Sequence, residues 1–289
     1  MRGILVVNKP AGISSYDVVR RVKPLLARGT AIGHAGTLDP IAAGVLVLLV
    51  GDATKISALL MRHDKEYDAV VRLGVETDTD DITGTVIGGS DPRRVSPAVI
   101  EPALAALTGR INQVPPRYAA LKQAGQPLYR LARAGRPANP AARAVTVASL
   151  ELTRWDPPLL TIRCAVSAGT YIRALARDIG RALGTGATLE SLTRTRSGRF
   201  SLATATALEQ LVQSDLQSRL VSIPEALRGT LPEIVLGADD AARLAHGQPV
   251  AARPTPVGTA LARTADDEFL ALVNVSDGLA RPERIICAA

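Results

Sequence analysis

The chain of 289 residues carries 34 Lys and Arg against 27 Asp and Glu, a formal net charge of +7, and such an excess favours a polyanionic partner such as nucleic acid. Hydrophobic residues make up 47% and charged residues 21%, with 24 Gly and 19 Pro, which excludes disordered and collagen-like chains and leaves a core large enough for one sizeable domain plus a small one. Aromatics at 3% count against a sheet on which several rings stack successive bases, and two cysteines (Cys164, Cys287) with three scattered histidines (His34, His63, His246) exclude a disulfide framework or zinc cluster and fit a reducing cytoplasm.

Gly3 to Val7 reads as a short strand, too short an apolar run for a signal peptide. A helix is expected from Ser14 or Ser15 as N-cap, with Val18, Val19, Val22, Leu25 and Leu26 on one face. A Gly- and Pro-punctuated loop from Gly33 to Pro40 leads into a buried strand at Val45 to Val50. The apolar run there, from Ile41, is about half of the ~20 residues a membrane helix needs, so no membrane association is expected. A short helix follows, then a mainly β segment over Glu66 to Val75, and Ser96-Pro97 opens a helix that Gly109 closes.

Beyond Pro115-Pro116 the spacing predicts an extended stretch through Lys122 and a basic helix around Tyr129 to Arg136. Val145 to Leu152 and Leu159 to Val166 read as a hairpin across a Trp-Asp-Pro-Pro turn. The clearest helix runs from Thr170, as N-cap, to Leu183, with Gly184 as stop. Beyond Leu231-Pro232 come a short helix capped by Asp239 and β-like segments near Gly258 to Ala262, Phe269 to Val275 and Pro282 to Cys287. The division expected is residues 1–230 and 231–289.

Several chemistries fall away at once. Leu189 occupies the third glycine position of a G-x-G-x-x-G run begun at Gly184, and the run follows a helix rather than a strand. The acidic stretch Asp78 to Asp81 lacks the third ligand, glycine and terminal Glu of an EF-hand loop. No phosphate loop, zincin or nucleophile-elbow motif occurs. Neither a metal nor a cofactor is expected.

Asp39, on the tight loop Gly33-His34-Ala35-Gly36-Thr37-Leu38-Asp39-Pro40, admits two readings: a carboxylate capping its own turn, or a catalytic group with partners elsewhere. Further segments supply partners in one chain order: Lys9-Pro10-Ala11-Gly12-Ile13-Ser14-Ser15, Gly44, Lys65-Glu66-Tyr67, Gln113-Val114-Pro115-Pro116-Arg117-Tyr118-Ala119-Ala120-Leu121-Lys122, and Gly169-Thr170-Tyr171-Ile172-Arg173. Together they closely resemble the bacterial tRNA pseudouridine synthase B (TruB) family, over roughly residues 3 to 200.

The resemblance implies an α+β (mixed α/β) pseudouridine synthase fold with a central, mainly antiparallel sheet, and a small C-terminal PUA-like domain that holds the tRNA elbow or acceptor arm. It implies isomerisation of uridine 55 in the T arm of tRNA, without a guide RNA or an obligatory protein partner. By the same resemblance Asp39 is the catalytic aspartate, Tyr67 stacks on the uracil, and Arg173 pairs with Asp39. His34 helps to extrude the base, Tyr171 and Leu192 line the uridine pocket, and Asp81 belongs to an acidic motif near the site. The family often carries a lysine where Ala168 stands here, which puts a backbone contact in doubt and not the chemistry.

These residue types suit the reaction on physical grounds. A carboxylate near C1′ and C6 can attack either carbon or assist elimination through a glycal, and an adjacent arginine typically lowers an aspartate pKa by ~1–3 units. A stacked uracil must be flipped out before any side chain reaches it, and an aromatic face such as Tyr67 repays part of that cost at ~1–3 kcal/mol. The Tyr67 phenol is also a candidate base for the C5 proton. Lys9, Arg117, Lys122, Arg130, Arg133 and Arg136 are expected on an RNA-facing surface. The competing readings are a non-catalytic tRNA-binding or tRNA-folding protein, a guide-RNA-dependent relative, and a base-removing glycosidase with Asp81 as second carboxylate.

Overall fold

The computed structural model describes residues 1–119, 121–123, 126–127, 140–252, 257–268 and 270–287. Strand β1 (Gly3–Lys9) is buried almost throughout. Helix α1 (Ser15–Val22) starts where Ser14 Oγ accepts from the Asp17 amide at 3.1 Å and the Asp17 carboxylate accepts from the Ser14 amide at 3.0 Å, a reciprocal cap. Then come β2 (Ile32–His34), the apolar β3 (Ala42–Val50), α2 (Ser57–Met61) and β4 (Lys65–Leu73). In β4 every odd-numbered residue is buried, the period of two that places Lys65, Tyr67, Ala69 and Val71 on one face.

A small hairpin of β5 (Glu76–Thr77) and β6 (Val86–Gly88) precedes α3 (Pro97–Ala106) and β7 (Gly109–Gln113). Strands β8 (Lys122–Gln123) and β9 (Gln126–Pro127) pair with each other. The expected hairpin is present as β10 (Arg143–Asp156) and β11 (Leu159–Val166). The basic helix expected around Tyr129 to Arg136 lies outside the described residues.

Helix α4 (Ile172–Ala182) begins one residue later than the sequence predicts. Tyr171 is its N-cap, and the Thr170 hydroxyl instead donates to the Ser167 carbonyl at 2.9 Å. Strand β12 (Ala187–Ser197) follows, then β13 (Phe200–Ser201), β14 (Thr206–Ala207) and α5 (Ile223–Leu227). The C-terminal part contains β15 (Glu233–Leu236), α6 (Ala238–Ala245), β16 (Val250–Ala251), β17 (Gly258–Thr264), β18 (Leu270–Ser276) and β19 (Leu279–Cys287). Gly237 rather than Asp239 caps α6; Asp239 sits in its first turn, where its charge suits the positive end of the helix.

The larger sheet runs β14-β1-β3-β12-β4-β11-β10-β7, with β2 added to β3 and β13 to β12. It is antiparallel except at β1–β14 and β3–β12. The mainly antiparallel mixed architecture is thus the one expected, but its centre, β12, carried no strand signal. In β12 the stretch Leu192-Thr193-Arg194-Thr195-Arg196 buries Leu192 and Arg194, so the inward face is itself partly charged. β3 and β12 approach closely at Gly44: its φ is +99° and a Cβ there would lie 2.3 Å from the Arg194 carbonyl oxygen, so only glycine fits. Helix α4 packs Leu175, Ala176 and Ile179 onto the face that carries Tyr67, Ala69 and Val71.

The smaller sheet, β15-β17-β18-β19-β16, packs Leu261, Leu270, Leu272 and Ile286 into one apolar cluster with Ala53, Ile56 and Leu60. The Lys55 ammonium donates to the Ile286 carbonyl at 2.9 Å, and Arg284 donates to the Lys55 carbonyl at 2.8 Å. Among the described residues no helix is long and apolar enough to cross a membrane.

Candidate active site

Register across the sheet brings one row of residues together. Arg194 of β12 stands opposite Gly44 of β3 on one side and Tyr67 of β4 on the other, and Tyr67 in turn faces Cys164 of β11. Cross-strand partners share a face, so Leu192, Arg194, Lys65, Tyr67 and Val166 all point to the side covered by α4. There they line a cleft of about 370 Å³, closed by the 36–39 loop and by residues 167–173 at the start of α4.

The 36–39 loop is fixed from three directions. Arg194 donates through Nη2 to the Gly36 carbonyl at 3.1 Å and through Nε to the Val45 carbonyl at 2.7 Å. Ser15, the first residue of α1, accepts from the Leu38 amide at 2.8 Å and donates to the Leu38 carbonyl at 3.0 Å. The Gly12 amide reaches the Pro40 carbonyl at 2.7 Å. The Lys-Pro and Gly-His segments singled out in the sequence are therefore two halves of one support, which holds Asp39 with its carboxylate 39% exposed to the cleft.

Arg173 Nε lies 2.9 Å from Asp39 Oδ2, and the arginine side chain is only 6% exposed. The contact is an ion pair without hydrogen-bond alignment, since the Nε–H has no aligned acceptor. The remaining donors of Arg173 are engaged: Nη1 donates to the Thr79 carbonyl at 2.9 Å and Nη2 to the Tyr118 carbonyl at 3.1 Å. Asp81 flanks Arg173 on the far side, 3.7 Å from Nη1. The second α4 arginine, Arg177, is likewise withdrawn from solvent. It is 12% exposed and pairs with Asp80 at 2.8 Å.

Tyr171 is placed by Gln113, which is fully buried. Gln113 accepts from the Tyr171 amide at 2.8 Å and donates to its carbonyl at 3.1 Å. Tyr67, Tyr171 and Leu192 all border the cleft beside Asp39 and Arg173. Burial pushes the Tyr67 phenol up, and the nearby Arg194 charge offsets this only in part. Burial likewise raises Tyr171, against the pull of Arg143.

Three expected residues do not line the cleft. Lys9 is fully buried, not on an RNA-facing surface: its ammonium donates to the Ile13 carbonyl at 2.7 Å and the Pro10 carbonyl at 2.9 Å. Asp81 is also buried and does not border the cleft. Its Oδ1 accepts from the Thr83 amide at 3.0 Å and the Thr79 hydroxyl at 3.0 Å, so it braces Arg173 from behind. His34, at the end of β2, is not on the cleft wall, and burial lowers its pKa. Arg117 is exposed, beside Asp78 and Asp80 in a separate cleft. The Lys122 side chain, Arg130, Arg133 and Arg136 lie outside the described residues.

Sequence reasoning missed Arg194 altogether and gave Lys65 and Gln113 no role. Arg194 is a fully buried guanidinium satisfied by carbonyls, and its only signal was the Thr-Arg-Thr-Arg alternation. Lys65, which borders the cleft, donates to the Met61 carbonyl at 2.6 Å and to the His63 carbonyl. Among the described residues no group of three or more His, Cys, Asp or Glu side chains is arranged to hold a metal ion.

Lys9 and Lys65 are each lowered from 10.5 to about 8, by burial first and by the Arg194 charge, with Asp39 opposing the shift at Lys9 and Asp64 at Lys65. Between about pH 8 and 10.5 the unfolded chain therefore binds more protons than the folded one, so these lysines make stability rise with pH across that window. Thermal melts at pH 7.5 and 9.5 are expected to show the wild type gaining on the Lys9→Met, Lys65→Met double variant. An equal response in both proteins would refute the assignment.

A profile of the TruB family pseudouridylate synthase N-terminal domain matches residues 24–172, and one of the tRNA pseudouridylate synthase B C-terminal domain matches 173–239. A relative from Burkholderia mallei named tRNA pseudouridine synthase B is 43% identical over 98% of this chain and 96% of its own length. Another of that name, from Aromatoleum aromaticum, is 47% identical over 89% of this chain and 83% of its own. Among solved structures, a chain in the crystal structure of a Cbf5-Nop10-Gar1 complex superposes with a TM-score of 0.75 at 25% identity, covering 99% of this chain and 85% of that one. A chain of an H/ACA RNP bound to a substrate RNA containing 2'-deoxyuridine gives 0.72 at 25% identity, covering 98% and 84%. With both profiles meeting at the Ile172–Arg173 junction that forms one wall of the cleft, and with relatives of this identity along nearly the whole length, the chain belongs to the TruB family of pseudouridylate synthases.

Proposed function

We propose that this chain converts uridine 55 in the T arm of tRNA to pseudouridine, with Asp39 as the catalytic aspartate. The observation that carries the reading is a half-exposed carboxylate, paired with a buried arginine, at one end of a cleft walled by Tyr67, Tyr171 and Leu192. The names of the curated relatives support tRNA as substrate.

In the reaction the C1′–N1 bond breaks, the uracil turns within the cleft, and C5 bonds to C1′; the C5 proton is lost and N1 gains one. Asp39 acts on the nucleotide, by attack at C6 or C1′ or by assisting elimination through a glycal, and Arg173, 2.9 Å away, holds the carboxylate in place. Tyr67, whose phenol burial holds neutral, acts as a stacking face rather than as a standing base. Leu192 and Tyr171 exclude water while the base is detached. A glycosidase would need a second free carboxylate; Asp81, held by Thr79, Thr83 and Arg173, does not supply it. Residues 1–230 form the catalytic domain in this reading, and 231–289 a PUA-like domain that holds the tRNA outside the cleft.

The test is tritium release from an unmodified tRNA transcript labelled at uracil C5, with the modified position mapped. Stoichiometric release with pseudouridine at position 55 alone is the expected result. Free uracil would mean a glycosidase, and tight tRNA binding without release would mean an RNA-folding protein.

A further inference from the structure

Four cations border the cleft: Lys65, Arg143, Arg173 and Arg194. Three are buried and already engaged, Lys65 on the Met61 and His63 carbonyls, Arg194 on Gly36 and Val45, and Arg173 on Asp39 and two carbonyls. These build walls. Arg143, the first residue of β10, differs from them: it is only partly buried, and beside it the chain at Gly169 is exposed.

Arg143 is held in place but not used up. Its Cζ lies 4.8 Å from the centre of the Tyr171 ring, within cation–π range, and Nη2 donates to the Gly169 carbonyl. Nε is buried with no partner, and no carboxylate pairs with the guanidinium among the described residues. A planar cation held by an aromatic ring and one carbonyl, with no carboxylate to neutralise it, suits a phosphate group, and part of the ordering cost is already met.

A nucleotide whose C1′ reaches Asp39 and whose base lies between Tyr67 and Tyr171 carries a phosphodiester on each side of its ribose. Those charges must leave the cleft past its open rim. We propose that Arg143 is the residue that binds the phosphodiester next to the turned-out uridine. The inference rests on the reading that RNA is the substrate, and it adds a recognition site at the rim to the base pocket within.

The test uses the full chain and an unmodified tRNA transcript, with dissociation constants measured from 50 to 200 mM KCl for wild type, Arg143→Gln and Arg143→Lys. Each phosphate contact contributes about 0.7–0.9 to the slope of log K against log salt. Arg143→Gln is expected to lower the slope by about that amount and to weaken low-salt binding about 10- to 100-fold. Arg143→Lys is expected to keep the slope while binding more weakly than wild type; it carries the test if the glutamine variant melts early.

A second arm replaces one or the other flanking phosphodiester by a neutral methylphosphonate, and at one of the two positions the Arg143→Gln effect is expected to vanish. A wild-type slope in Arg143→Gln, with a loss confined to the single-turnover rate, would overturn the proposal and leave Arg143 a support for Tyr171. A wild type that neither binds nor modifies the transcript would overturn this inference together with the functional reading.

Discussion

Asp39→Asn is expected to abolish C5 tritium release, by at least about 10⁴-fold, the scale seen when a catalytic side chain is removed, while the protein stays folded and still binds tRNA. The amide fills the same volume on a loop that Arg194, Ser15 and Gly12 hold through the backbone, and none of those bonds involves the Asp39 side chain. The carboxylate is 39% exposed, so losing its charge costs under about 1 kcal/mol, as for other solvent-screened pairs. Arg173 retains Asp81 and two carbonyls as partners. Activity and melting temperature thus separate. An Asp39→Asn protein with more than a few per cent of wild-type release would remove Asp39 from the chemistry.

Arg173→Met is expected to fail on both counts. The arginine is 6% exposed and Asp81 9%, so its removal leaves a buried carboxylate without its cation and strips a donor from each of the Thr79 and Tyr118 carbonyls. Breaking a buried pair from one side costs about 3–5 kcal/mol, and each kcal/mol lowers the melting point by roughly 2–4 °C in a domain of this size. Thermal melts and tritium release on one preparation check both effects. Because the same guanidinium ties α4 to the 77–83 turn and to Asp39, the loss of rate is expected to exceed the fraction unfolded at the assay temperature. A variant that melts with the wild type would show that the pair contributes only to catalysis.

Much of this arrangement was legible because the sequence repeats the physics that builds it. The β segment of β4, the Ser14 cap, the uninterrupted apolar run of β3 and the stripe on α4 place the elements, and the resemblance to the family is what singled out Tyr67, Arg173 and the Asp39 loop on them. What was not legible lies where burial and polarity disagree. β12 reads as polar because its inward positions include Arg194, whose partners are carbonyls from a distant loop that no local pattern announces. Lys9 reads as a surface charge for the same reason: carbonyls at Pro10 and Ile13 replace the water that an exposed ammonium would have. Asp81 was legible as an acidic residue near the site, but only the fold shows that it stands behind Arg173 rather than before the substrate.

The apolar cluster that Leu270, Leu272 and Ile286 share with Ala53, Ile56 and Leu60 means that the C-terminal sheet is not cargo on a tether. Heat or urea has no path that melts it alone without baring an oily face on its larger neighbour, so the chain denatures as one cooperative body. A nick in the native protein between Leu227 and Glu233 is expected to leave two pieces that hold together, whereas a chain terminated there would meet water with that face uncovered and is expected to precipitate. Truncation therefore reports on colloidal behaviour before it reports on RNA, and substitutions on the outer face of the small sheet are the cleaner instrument.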